Sequence, residues 1–467
     1  MYRHMHMIWL PLLLASCAGW QPEALDSSAG LAPSLQDLQA KIDPLSHPEL
    51  PEVWRSLKVV VDDGLDENET VVLALLNSPQ LKAARSQTAE SAASLYAAGL
   101  LPDPQASVAV DVPKSRDPAL KTGESFGLGI DLQQILTRGA RRDAALESAR
   151  ATYLNVLWQE WQVIQQARML WRRAIIQQQQ VDMLQQQLNQ TTSIWDGQHG
   201  ALKEGNATLD QEGLALAPLM DAEAALLEGK RQLNTTLHDM RLLLGVEPSL
   251  SLVFTQPAGG AATLVVKPDA ADSLQGSAIA RLRPDLLALQ AGYMSQESRV
   301  REQILAQFPS FSIGANSTRD TAGLWTLGPF INLGLPLLNG NRGNVAIARA
   351  TRKRLAEEYH FQLVSTRSQW IKIVRDQQLA YEEWQALTAR LPRLELTVDR
   401  MAHALGAGEI DMLTFTTLRT ACFAQQARLL VLTQQLLEQQ VALDTLSGHT
   451  MPDSARYLTS SLQGIHP

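Results

Sequence analysis

The chain has 467 residues, 40 Lys+Arg against 48 Asp+Glu for a formal net charge of −8, and an aromatic content of only 5%. That balance, with no basic block, offers no electrostatic footprint for a polyanion, which excludes nucleic acid as a partner. Two cysteines, Cys17 and Cys422, exclude a disulfide framework and a Cys-rich metal domain.

The first seventeen residues set the compartment. Arg3 is the one formally charged residue ahead of an apolar run from Met7 to Ala15, about nine residues and far short of the roughly 20 that a spanning helix needs. It reads as the core of a signal peptide. The run closes in Leu14-Ala15-Ser16-Cys17, which resembles the bacterial lipobox, where the cysteine thiol takes a diacylglycerol before cleavage. Residues 1–16 are therefore expected to be signal, Cys17 to be lipidated, and 17–67, rich in Pro, Asp and Ser, to be a periplasmic lead segment.

Beyond the lead the chain repeats itself. Asn77-Ser-Pro-Gln-Leu81 opens a helical stretch ending at Leu100-Leu-Pro-Asp-Pro104, and Leu282-Arg-Pro-Asp-Leu286 opens another ending at Gln307-Phe-Pro-Ser310. Pro79 to Pro284 is 205 positions, whereas Gly205 to Gly408 and Gly245 to Gly448 are each 203. Landmarks in one order at nearly one spacing indicate a duplicated unit. We place the units at 68–250 and 275–448, with a linker at 251–274 and a tail at 449–467. Each reads helix, strand, strand, very long helix, sharp turn, long helix.

The strand segments alternate. Ala106, Val108, Val110 and Val112 face one way against Gln105, Ser107, Ala109 and Asp111; Phe126, Leu128, Ile130 and Leu132 oppose Ser125, Gly127, Gly129 and Asp131. The second unit repeats this with Phe311, Ile313 and Ala315, then Trp325, Leu327, Ile331, Leu333 and Leu335, against small or polar neighbours. Each segment is near the roughly 9 to 11 residues of a tilted transmembrane strand. Four strands cannot close a barrel, and open edges are not tolerated in hydrocarbon, so several chains must share one.

The helices exceed what a compact domain uses. From about Arg138 to Lys203 nothing breaks the helix, roughly 65 residues and close to 100 Å. Positions from Leu146 through Val163 and Val181 to Leu188 step by three and four, a coiled-coil seam whose polar exceptions are Glu160 and Gln177. Trp370 through Leu405 keep the same spacing, and after Gly406-Ala-Gly408 the returning helix continues it from Phe415 to Leu446. Cys422 sits on that seam, as a small buried residue rather than a reactive thiol. Pro218 and Pro392 should bend their helices locally.

Enzymatic signatures are absent. The histidines are scattered without metal spacing, Gly127-Leu-Gly129 and Gly340-Asn-Arg-Gly343 lack a nucleotide-loop context, and no Gly-x-Ser-x-Gly elbow occurs. No catalytic residue, cofactor or metal is expected.

The duplication, the Asn-Ser-Pro and Arg-Pro-Asp helix starts, the Leu-Leu-Pro and Phe-Pro strand entries, the turns at Gly139 and Gly340, and the hairpin tips at Gly205 and Gly408 resemble the TolC-like outer-membrane efflux factors. The resemblance covers about Asn68 to Gly448. It implies a mainly α protein with transmembrane β strands: a homotrimer with a twelve-stranded β-barrel, an α-helical tunnel through the periplasm, and docking through the tips on a periplasmic adaptor and an inner-membrane pump. Gly205, Asn206, Gly408 and Glu409 are the candidate docking residues, and Asp411 and Asp210 the candidate constriction. Thr417 stands where the family usually has an acid late in the second tip. The expected function is a passive duct for small solutes, drugs or metal cations. A type I protein-secretion channel and a periplasmic coiled-coil scaffold lipoprotein that never inserts are the alternatives.

Overall fold

The computed structural model describes residues 22, 24–25, 30–38, 59–60, 63–114, 117, 119–268 and 282–448. Cys17, the signal segment and the tail lie outside the described residues. Unit one contains α1 (Glu67–Asn77), α2 (Pro79–Gly99), β1 (Gln105–Asp111), β2 (Gly123–Asp131), α3 (Leu132–Lys203) and α4 (Leu209–Leu244). Unit two contains α5 (Pro284–Leu305), β3 (Ser310–Arg319), β4 (Trp325–Gly334), α6 (Arg342–Gly406) and α7 (Met412–Ser447).

Pro79 and Pro284 each occupy the first turn of their helix, where the missing N–H has no intrahelical partner to lose. The four strands form one antiparallel sheet in the order β1-β2-β3-β4. Ile313 faces both Ile130 and Ile331, and Gly314 faces both Gly129 and Phe330. That register keeps the large apolar residues of all four strands on one face, except Phe330.

The two units leave the sheet differently, which corrects one expectation. Gly139 makes no turn; it lies inside α3. Asp131 is both the last residue of β2 and the N-cap of α3, its Oδ1 accepting the Gln133 N–H at 2.9 Å, so the helix begins six residues earlier than expected and reaches 72 residues. In unit two Pro336 cannot donate a backbone bond, and Gly340 and Asn341 are both left-handed, each with φ 54°. The chain therefore turns before α6. The Asn341 amide bonds back to the Gln303 carbonyl at 2.8 Å, which tolerates a left-handed backbone at a non-glycine residue.

Nearest the sheet the helices pack in the order α2-α3-α5-α6; further away the order is α4-α3-α7-α6. Helix α3 is central throughout. The expected seam is seen: Val156, Val163, Ala167, Leu170, Ala174, Val181 and Leu184 are all buried, and Leu146 at the sheet end is exposed. Between Glu160 and Gln177, however, the burial spreads well beyond the seam, because α1 and the start of the 246–255 segment wrap the far side. From Glu69 to Asn77, α1 is buried throughout. The Trp171 indole N–H donates to the Leu65 carbonyl at 2.9 Å, which fixes this belt to the helix. Glu160 is buried beside Arg85, with 2.8 Å from Nε to Oε1. The polar seam position is thus an ion pair rather than a packing fault.

Candidate membrane surface and hairpin tips

Among the described residues, none covers the apolar face of the sheet. Val108 is 66% exposed and Leu327 79%, and Val110, Phe126, Leu128, Ile331 and Leu333 are exposed with them. At the end far from the helices this face meets Glu124 and Arg319, with the Arg319 guanidinium 5.9 Å from the Trp325 ring centroid. An apolar band ending in charge and an aromatic ring is the pattern of a strand surface leaving hydrocarbon for headgroups. Large exposed apolar area of this kind marks an interaction surface. Among the described residues, no helix is long and apolar enough to cross a membrane. Strands β1 and β4 are unpaired edges of the sheet.

At the other extreme of the molecule lie the two helix reversals. Glu204 ends α3 in a right-handed conformation, Gly205 follows with φ 78°, and the Asn206 N–H returns to the Ala201 carbonyl at 2.7 Å. Ala407, Gly408 with φ 75° and Glu409 repeat this, the Glu409 N–H reaching the Ala404 carbonyl at 2.9 Å. Both are Schellman turns, in which a left-handed glycine lets its own N–H and the next one cap the helix. Asn206 and Glu409 are exposed at the tips. Near the first tip His199 Nδ1 lies 2.6 Å from Glu212 Oε1, and the Trp195 ring stacks on His199 at 4.9 Å. The His199–Glu212 contact joins α3 to α4.

The carboxylates of the two tips do different jobs. Asp411 is the N-cap of α7: Oδ1 accepts the Thr414 N–H at 2.8 Å and Oδ2 accepts the Thr414 hydroxyl at 2.7 Å. Those bonds from Thr414 hold its carboxyl below the ordinary aspartate range. Its counterpart 203 positions earlier is Thr208, the N-cap of α4. Asp210 sits two residues into α4, where hydrogen bonding, first of all from the Thr208 side chain, also lowers its pKa. Both carboxylates are exposed and ionised at neutral pH. The pairing of Asp411 with Thr208 rather than Asp210 was legible in the 203-residue spacing of the tips.

Cys422 is buried on the α6/α7 seam, and burial pushes its thiol up, as for a packing residue. Among the described residues there is no group of His, Cys, Asp and Glu able to hold a metal ion. Sequence reasoning missed Phe330, which interrupts the small-residue face of β4. The signal was a lone aromatic at an even position of the strand's alternation.

A sheet with an exposed apolar face, open at both edges and carried on helices of this length, is the architecture seen in outer-membrane channel proteins. Residues 276–449 match the family described as outer membrane efflux protein. The outer membrane channel CmeC of Campylobacter jejuni has a similar fold, with a TM-score of 0.71 at 15% identity over 96% of this chain and 97% of that one. The open state of the MtrE outer membrane channel of Neisseria gonorrhoeae gives 0.64 at 14% over 92% and 98%, and CusC gives 0.68 at 16% over 89% and 99%. By sequence the chain matches no curated protein. Its second unit thus matches the outer membrane efflux protein family, and its whole length has the fold of these TolC-like channels.

Proposed function

We propose that three copies of this chain form one passive duct for small solutes, closing a twelve-stranded barrel in the outer membrane and continuing as an α-helical tunnel through the periplasm. The observation that carries the reading is the sheet, whose exposed apolar face requires lipid and whose two free edges require neighbours. The helices supply matching edges. Leu209, Leu216, Met220 and Leu227 make an exposed stripe on α4, and Ile347, Phe361, Val364 and Leu379 line the free side of α6, so α6 of one copy would pack on α2 and α4 of the next. A scaffold that never inserts leaves the strand face exposed to water, which disfavours that alternative.

Cys17 would anchor the chain by lipid to the same membrane. Gly205, Asn206, Gly408 and Glu409 would meet a periplasmic adaptor, which links the duct to an inner-membrane pump. Asp411 and Asp210, each tripled by the symmetry, would form acidic rings at the tunnel mouth that favour cations. Selectivity among solutes would rest with the pump. The test is purification from outer-membrane fractions followed by planar-bilayer recording. SDS-resistant, heat-labile trimers and unitary cation-selective conductance are expected; a monomer that never inserts overturns the reading.

A further inference from the structure

The sheet face opposite the lipid face carries one large side chain. Read across the register, every other residue on it is Gly, Ala, Ser, Thr, Asn, Asp or Gln, and the exception is Phe330 on β4. Its ring does not stand off the wall. It leans back across its own chain's strands, over three positions that lack a side chain: the ring tip lies 2.9 Å from where a Cβ on Gly129 would sit and 2.5 Å from that of Gly314, and the ring edge 3.9 Å from that of Gly127. Gly314 is its direct cross-strand partner and Gly129 is the partner of Gly314. The glycines thus form a slot one ring deep. The same direction takes the ring away from the free edge of β4, where a neighbouring copy would pair.

We propose that the slot of Gly127, Gly129 and Gly314 parks the Phe330 ring against the wall and out of the barrel lumen, so that the pore stays open; this rests on the barrel reading above, in which that face is the lumen. An aromatic ring over cross-strand glycines covers backbone left bare by the missing side chains. It also has one direction in which to move, because a side chain added beneath it displaces it off the wall. Threefold symmetry would then bring three rings toward one axis.

The decisive variant is Gly129→Ala. Its new Cβ would meet only the Phe330 ring tip closer than 3 Å, with the Ile313 carbonyl at 3.3 Å. Gly314→Ala is unsuitable because it also strikes the Leu128 carbonyl. In planar bilayers Gly129→Ala is expected to lower unitary conductance about twofold and to exclude polyethylene glycols that enter the parent channel. Gly129→Ala/Phe330→Ala should restore both, and Phe330→Ala alone should leave conductance near the parent's. The proposal is overturned if Gly129→Ala conducts like the parent, if the double variant stays low, or if Phe330→Ala alone raises conductance strongly, since that ring would already project. A parent that forms no channel overturns the barrel reading itself, which is a separate outcome.

Discussion

Gly205 and Gly408, 203 residues apart, hold the same left-handed turn, with φ 78° and 75° and the same pair of return hydrogen bonds to the helix they end. Neither has anything within 4 Å of the place a Cβ would take, so backbone conformation alone demands glycine. Gly408→Ala is expected to cost about 1 kcal/mol, confined to the tip. Hydrogen exchange should show the Glu409 amide opening faster with the thermal midpoint unmoved. Weaker capture of the adaptor by Gly408→Ala would support docking there; unchanged capture by Gly205→Ala and Gly408→Ala together would remove the tips from the interface.

Asp411 should matter twice, as a cap and as a charge. Its folded pKa is lowered, so its contribution to the tip is present above the unfolded carboxylate pKa and disappears as pH falls through the folded value. Protection of the Thr414 amide, relative to its intrinsic exchange rate at each pH, should therefore persist at neutral pH and be lost only in acid. Asp411→Asn should reduce cation selectivity and weaken block by trivalent cations. Asp210→Asn serves as the comparison, and parental behaviour from both would place the constriction elsewhere.

Arg283 is only 2% exposed and pairs bidentately with Asp285, at 2.9 and 2.6 Å, while its Nη1 donates to the Thr366 hydroxyl at 3.1 Å. Its guanidinium also lies 4.8 Å from the Trp158 ring centroid, tying α5 and α6 to α3. Arg283→Leu leaves Asp285 unpaired beside the core and should destabilise the assembly by roughly 3 kcal/mol. Lysine, which lacks the planar fork, should not rescue it. Differential scanning calorimetry of the detergent-solubilised protein measures both.

Leu327 tests the lipid face. Leu327→Arg should impede insertion, with a cost of about 2–4 kcal/mol at the bilayer midplane, and heat-labile trimers should decline in outer-membrane fractions. Thr326→Arg, one residue away on the opposite face, should still assemble. Equal assembly of the two variants would contradict the assignment of faces.

Cys17→Ser should abolish labelling by radioactive palmitate. Persistent labelling would refute lipidation at Cys17. Assembly of the channel is expected to survive, because the strands hold the protein in the bilayer independently of the anchor.

The sequence by itself determined the elements and their repetition. Period-two alternation marks the strands because successive side chains point to opposite faces, steps of three and four mark the seam of α3, and Gly205 and Gly408 mark the tips because few other residues turn left-handed without strain. Tertiary structure decided what alternation cannot encode. Gly139 is a helix residue because Asp131 caps α3 directly from the strand, and α3 is buried far beyond its seam near Trp171 because the distant Leu65 segment closes over it. Asp411 became a cap through a bond to a backbone N–H three residues on. Phe330 breaks the pattern of its strand, and its place became intelligible only when register set it beside Gly314 and Gly129. Register between strands far apart in the chain is a property of the assembled sheet, where the Phe330 ring is matched both to Gly314 on the adjacent strand and to Gly129 in the other unit.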